Sequence, residues 1–218
     1  MSKQIITKKR VRDHGEVFTN PREVNAMLDL VKTETERIDS RFLEPACGKG
    51  AFLVEILNRK LHKVASEYRK SPTEYERYAV LAVSSIYGIE ILEDNVKDCR
   101  QILLDIFKNQ YKSDIKKECS EECERTVLFI LSKNIIWGDA LALTCVNPPD
   151  KPIIFSEWSA VNGKMIKRRD FEFRKILDCT TDGLTLFSDI GEEVWLPKPI
   201  REFPITNYLR LEDAEQQL

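Results

Sequence analysis

The chain has 218 residues, 42% hydrophobic and 32% charged, with a formal net charge of −2. That length fits one domain with a small appendage, and it can bury a core without disulfide or metal staples. Near-neutral charge excludes a global pull toward nucleic acid or anionic membrane, so any DNA contact has to come from a local patch.

No apolar run approaches a membrane span, and Met1-Ser2-Lys3-Gln4-Ile5-Ile6 lacks a signal-peptide core. The scattered cysteines fit reduced thiols in a cytoplasmic protein. Cys119-x3-Cys123 has no second ligand pair, and His14 and His62 are the only histidines. Two exposed helix cysteines are therefore expected there, and no metal site.

Lys8-Lys9-Arg10-Val11-Arg12 is a short basic arm, which reads as a solvated run or as a nucleic-acid contact. Asn20 suits an N-cap and Pro21 a first helical position, and Val24, Met27, Leu28 and Val31 keep helical spacing behind them. Phe42-Leu43 then reads as a buried strand ending in Glu44. Pro45-Ala46-Cys47-Gly48-Lys49-Gly50 follows as a turn into a helix with an inner face of Phe52, Leu53, Ile56, Leu57 and Leu61. An acid-terminated strand, a Gly-x-Gly turn and a helix N-terminus together suit a nucleotide-like cofactor. The glycines let the backbone approach the ligand, and the helix offers unpaired N–H groups.

Residues 59–76 are polar and interrupted by Pro72, which predicts a break or a surface excursion. Ala79-Val80-Leu81-Ala82-Val83 is a short apolar helix or strand. Ile86-Tyr87-Gly88-Ile89-Glu90-Ile91 is a second strand ending in an acid. Glu90 lies farther from the glycine turn than a ribose-binding acid usually does, so a helix must be inserted between the first two strands. A long helix is predicted over Leu92–Lys112 and another through Val127, Leu128, Ile130 and Leu131. Ile135-Ile136-Trp137-Gly138-Asp139-Ala140-Leu141 is a third strand with its turn. Taken singly, Glu90 reads as a helix cap and Asp139 as a turn residue.

In this order, Gly15-Glu16-Val17-Phe18-Thr19, Glu44-Pro45-Ala46-Cys47-Gly48-Lys49-Gly50-Ala51-Phe52, Tyr87-Gly88-Ile89-Glu90 and Gly138-Asp139-Ala140-Leu141 resemble the cofactor half of S-adenosylmethionine-dependent N6-adenine DNA methyltransferases of restriction-modification type. Their glycine loop usually reads Asp-Pro-Ala-Cys-Gly-Ser-Gly-x-Phe. The resemblance covers roughly residues 14 to 145. It implies S-adenosyl-L-methionine as cofactor, with Phe18 and Thr19 over its methionine end. Glu44, Pro45, Ala46, Cys47, Gly48, Gly50 and Phe52 would line the pocket. Glu90 would accept the ribose hydroxyls, Ile91 would pack on the adenine, and Asp139, beside Ala140, would accept from the adenine amine.

In the same family an Asn/Asp-Pro-Pro-aromatic motif ends the fourth strand. It holds the target amine toward the methyl group, so catalysis is mostly positioning and electrostatics. Here Asn147-Pro148-Pro149 is followed by Asp150, and these four are the candidate catalytic set. Pro152-Ile153-Ile154-Phe155 is the stronger strand, however, and would put Ser156 at the catalytic position and Trp158 beside it for stacking. The plain alternative for Asn147–Asp150 is a proline turn.

Beyond it, Glu157–Val161 and Lys164–Arg169 flank Asn162-Gly163 as a β-hairpin. Its basic second strand would either lie on phosphates or serve as a charged edge. One short helix near Phe173–Leu177 follows, then pieces punctuated by Gly183, Gly191, Pro197, Pro199 and Pro204.

The expected fold is α/β: a Rossmann-like, doubly wound, mainly parallel sheet with a C-terminal hairpin extension. Residues 1–156 would form the cofactor domain and 157–218 the extension. The expected activity is N6 methylation of adenine in double-stranded DNA. The alternative is a catalytically incomplete cofactor-binding subunit that needs a partner protein, because residues for about three further strands are missing. Methylation of protein glutamine or RNA is a third reading.

Overall fold

Three short apolar segments pair in parallel and set the frame. The strands β1 (Phe42–Glu44), β2 (Ile86–Glu90) and β3 (Ile135–Asp139) lie side by side, with Leu43 opposite Tyr87 and Ile89 opposite Ile136. The computed structural model describes residues 19–181 and 197–215, the side chains of 179–181 excepted. Phe18, the basic arm Lys8–Arg12, Gly183 and Gly191 lie outside the described residues.

The helices follow the local signals. Asn20 accepts a hydrogen bond from the Arg22 N–H at 2.9 Å and Pro21 opens α1 (Pro21–Asp29), which is followed by the single turn α2 (Lys32–Thr35). Between β1 and β2 run α3 (Ala51–Tyr68) and α4 (Pro72–Ser84). Pro72 starts α4, so the anticipated break shrinks to residues 69–71, and Ala79–Val83 is helical. Between β2 and β3 run α5 (Glu93–Ile115) and α6 (Glu121–Asn134), the latter capped by Ser120. Cys123 is fully buried on α6, which corrects the reading of that cysteine as exposed.

Alternation along the strands separates two layers. Ile86 and Ile135 point into a core shared with α3, α4, α5 and α6. Tyr87 and Ile89 point the other way, against Ile153, Phe155 and Phe173. Strand order follows chain order, with the two-residue β4 (Thr144–Cys145) antiparallel on the outer edge of β3. The result is α/β with a mixed, mostly parallel sheet. Both crossovers place their helices on one face, so the described residues wind in a single direction. A doubly wound sheet requires helices on both faces.

The second face is covered instead by an antiparallel sheet. β5 (Ile154–Ala160) and β6 (Met165–Glu172) form the hairpin expected over Asn162-Gly163, pairing Ala160 with Ile166. After α7 (Phe173–Thr181), β7 (Arg201–Glu202) and β8 (Thr206–Asn207) both add to β6. A 3₁₀ turn and α8 (Leu211–Glu215) close the described chain.

Buried polar groups tie the layers together. Asn134 donates to the carbonyls of Ser84 and Ile86 and accepts from Trp158 Nε1 at 3.0 Å. Trp158 is thereby buried and cannot stack on a base. Arg168 lies 4.0 Å over the Phe203 ring and makes a forked pair with Asp170. Lys167 and Arg169 are matched by Glu202 and Glu157. Arg168 is thereby neutralised in the interior, while Lys167 and Arg169 keep partly exposed ion pairs, as the charged-edge reading expects. Among the described residues, no helix is long and apolar enough to cross a membrane.

Lys60 is fully buried, and its ammonium donates to the carbonyls of Arg37 at 2.9 Å, Ile38 at 3.1 Å and Ser40, holding the turn that feeds β1. Burial pushes its pKa down to about 7. Lys60→Met should cost about 2–3 kcal/mol in urea unfolding at pH 7, because those carbonyls lose their donor. Between pH 7 and 9 the unfolded chain holds a proton that folded Lys60 has begun to release, so this group adds stability as pH rises. The stability difference between parent and Lys60→Met should widen over that interval.

Candidate functional site

The turn after β1 is shaped by two left-handed glycines, Gly48 at φ +53° and Gly50 at φ +88°. The Cys47 N–H donates to the Ile89 carbonyl at 3.0 Å and the Gly50 N–H to the Cys47 carbonyl at 2.7 Å, folding the loop back over β2. α3 starts at the next residue. A Cβ on Gly50 would stand 2.7 Å from Cys99 Sγ, and one on Gly88 would stand 2.8 Å from Cys47 Sγ. Those two glycines let α5 and β2 close on the loop. Gly48 is different: a Cβ there would meet nothing within 4 Å, so its backbone borders open space. The Cys47 thiol is pushed well above its ordinary pKa by its contact with Cys99 and by burial. Cys47 is therefore a packing residue rather than a nucleophile.

Glu90 ends β2 with its carboxylate mostly buried. Oε2 accepts from the Gly48 N–H at 2.8 Å and Oε1 from the Leu92 N–H at 2.9 Å. One carboxylate thus fixes the glycine loop to the start of α5. Each oxygen keeps further acceptor capacity. Ile91 is 45% exposed beside it, and its carbonyl accepts from Trp137 Nε1 at 2.9 Å. At the end of β3, Asp139 Oδ1 accepts from the N–H groups of Leu141 at 2.8 Å and Ala142 at 3.1 Å. Ala140 packs with the Tyr87 and Ile89 cluster.

The structure brings Thr19, Glu44, Ala46, Cys47, Gly48 and Phe52 together along one groove of about 470 Å³ between α1, the glycine loop and α3. Pro45 shapes the turn beside it. Glu90 joins through Gly48, while Ile91, Asp139 and Ala140 stand further along the same carboxyl edge of the sheet. The edge thus combines open backbone at Gly48, acids at the ends of three adjacent strands, and a groove beside the glycine loop.

Asn147, Pro148, Pro149 and Asp150 are not brought there. β4 runs back along β3, with Thr144 opposite Asp139 and the Val146 N–H on the Trp137 carbonyl. Asn147 therefore continues toward the amino end of β3, as an exposed turn on the edge of the sheet away from β1. Three strand spacings, about 14 Å, separate that edge from β1. Ser156 does not take the position either. It is buried within β5, donating to Asp170 at 2.8 Å while its carbonyl accepts from Tyr87 Oη. Among the described residues β1 pairs on one side only, and Leu43 on its open edge is 41% exposed.

Sequence reasoning passed over Lys49 and Asp98, whose side chains meet at 2.6 Å across the loop. The only available signal was a lysine standing between the two glycines. Comparison with family models, curated proteins and solved structures returns no match to this chain.

The packing accounts for Gly88 without reference to a ligand, and that is open to test. Gly88→Ala should cost about 1–3 kcal/mol by overpacking against Cys47 and Leu53. Combining it with Cys47→Ala should recover most of that loss in urea unfolding. Additive losses in the double variant would show that Gly88 is not held by Cys47.

Proposed function

We propose that this chain binds S-adenosyl-L-methionine and belongs to the machinery of N6-adenine methylation in double-stranded DNA, of restriction-modification type. The single observation that carries the reading is the Glu90 carboxylate held against the Gly48 N–H, at the carboxyl ends of adjacent parallel strands. Ligands of open α/β sheets bind at that edge. In this reading the described sheet is the first half of a Rossmann-like, doubly wound methyltransferase fold.

When bound, the cofactor supplies a methyl group activated on a sulfonium. The chain's own residues position it. Glu90 accepts from the ribose hydroxyls with its remaining acceptor capacity, and Asp139 accepts from the adenine amine through Oδ2. Ile91 covers the base with its exposed side chain. Thr19 and Glu44, with Phe18 outside the described residues, border the groove for the amino-acid end.

The second half of our proposal concerns turnover. The Asn147–Asp150 turn lies away from the glycine loop, and among the described residues the β1 edge beside that loop is unpaired. Both observations favour the cofactor-binding subunit over the self-sufficient enzyme. A partner chain would supply the group that holds the target amine, together with the DNA-reading surface.

Calorimetric titration should show binding of S-adenosylmethionine to the parent chain, weakened at least tenfold by Glu90→Ala or Asp139→Ala, since each removes acceptors for ligand donors. No binding by the parent would overturn the reading. With radiolabelled cofactor and mixed DNA, the chain alone should transfer no methyl groups. Transfer by the chain alone, abolished by Asn147→Ala, would restore the self-sufficient enzyme.

A further inference from the structure

Of the residues lining the 470 Å³ groove, Lys49 alone among those described carries a positive charge; the acids are Glu44 and Glu55. Glu55 is already engaged by Arg59 at 3.0 Å, which also reaches Asp29 at 2.8 Å. Glu44 makes no ion pair among the described residues; its one bond is a long 3.4 Å acceptance from the Ala46 N–H. The groove therefore presents one uncommitted anion ahead of the glycine turn, Glu44, and one cation within it, Lys49. That pattern matches a zwitterion, an ammonium and a carboxylate on one carbon.

Lys49 is held, but weakly. Its ammonium meets Asp98 Oδ2 on α5 at 2.6 Å, and both side chains are well exposed, at 38% and 48%. Exposed pairs of this kind contribute little and exchange readily. The residue sits between left-handed Gly48 and Gly50 and lines the groove, with its ammonium turned to Asp98 beside it. An incoming carboxylate can take the ammonium from Asp98 by a charge-assisted hydrogen bond of the stronger class.

We infer that Lys49 is the specificity residue for the amino-acid head of the cofactor: it recognises the carboxylate, and thereby selects S-adenosylmethionine over nucleoside sulfonium ligands that lack one. Glu44 faces the ammonium of the same head. The inference rests on the cofactor reading above and adds to it a charge-selective contact that the glycine loop alone does not provide.

The test compares two probes, S-adenosylmethionine and decarboxylated S-adenosylmethionine, which differ by the carboxylate alone. Calorimetry is run on the parent, Lys49→Met and Asp98→Asn, with thermal unfolding of each to confirm the fold. The parent should prefer the carboxylated ligand by about tenfold, as one charge-assisted bond allows. Lys49→Met should erase that preference while leaving affinity for the decarboxylated ligand within about twofold. Asp98→Asn breaks the same staple but keeps the cation, and should retain the preference. A preference that survives Lys49→Met overturns the inference and leaves the cofactor reading standing. So does equal loss for both ligands, or loss of the preference in Asp98→Asn. If the parent binds neither compound, the cofactor reading fails and this one with it.

Discussion

The Glu90 carboxylate is the interaction on which the carboxyl edge depends. Buried beside the glycine loop, it accepts from Gly48 on one side and Leu92 on the other. Glycine turns have no side chains to order them, and left-handed backbone is disfavoured for most other residues. Here the order comes from outside: from Glu90, from the Ile89 carbonyl that receives the Cys47 N–H, and from Cys99 closing on Gly50. A carboxylate able to hold an amide N–H in place is also chemically suited to hold sugar hydroxyls. In the proposed reading, the structural and ligand-binding roles of this acid are the same property used twice.

Single-direction winding governs the rest of the architecture. Because strand order follows chain order, the four long helices collect on one face, and the other face needs a separate cover. The β5–β6 hairpin and the start of α7 provide it, with Phe155 and Phe173 against Tyr87 and Ile89. The hairpin is anchored by polar groups as well as apolar ones: Asn134 links Trp158 to the start of β2, and Arg168 is enclosed between Asp170 and aromatic rings. Since the cover lies on a face, it leaves the β1 edge unpaired among the described residues. An open edge of a parallel sheet is a place where another strand can add. This one adjoins the candidate pocket, which is why a partner chain enters the functional proposal.

Much of the carboxyl edge was legible in the sequence, because its signals are local. Acid-terminated strands at Glu44 and Glu90, the glycine turn, the Asn20 cap and Gly138-Asp139 each depend on neighbours within a few positions. Long-range pairing was not legible. Asn147-Pro148-Pro149 looked like the end of a fourth parallel strand, but Thr144-Cys145 pairs backward onto β3 and carries the motif away from the loop. Lys167, Arg168 and Arg169 read either as a phosphate contact or as a charged edge, and choosing between them needed their partners Glu202, Asp170 and Glu157, two of which lie on other strands. The plain reading of Asp139 as a turn residue also holds, with Leu141 as its partner, whereas Glu90 bonds the Leu92 N–H ahead of α5 and does not cap that helix. Such bonds are compatible with a ligand role, because a carboxylate has more acceptor sites than these bonds fill.

If the glycine loop and the ends of β2 and β3 bind one ligand, as proposed, all three respond to it together. Amide NMR of the full chain, titrated with S-adenosylmethionine, locates binding residue by residue. The account predicts progressive shifts at Gly48, Gly50, Ile91, Leu92 and Leu141, with Asn147, Asp150 and the β5–β6 hairpin unmoved. Shifts confined to the hairpin or the 147–150 turn, or none at all, would contradict it.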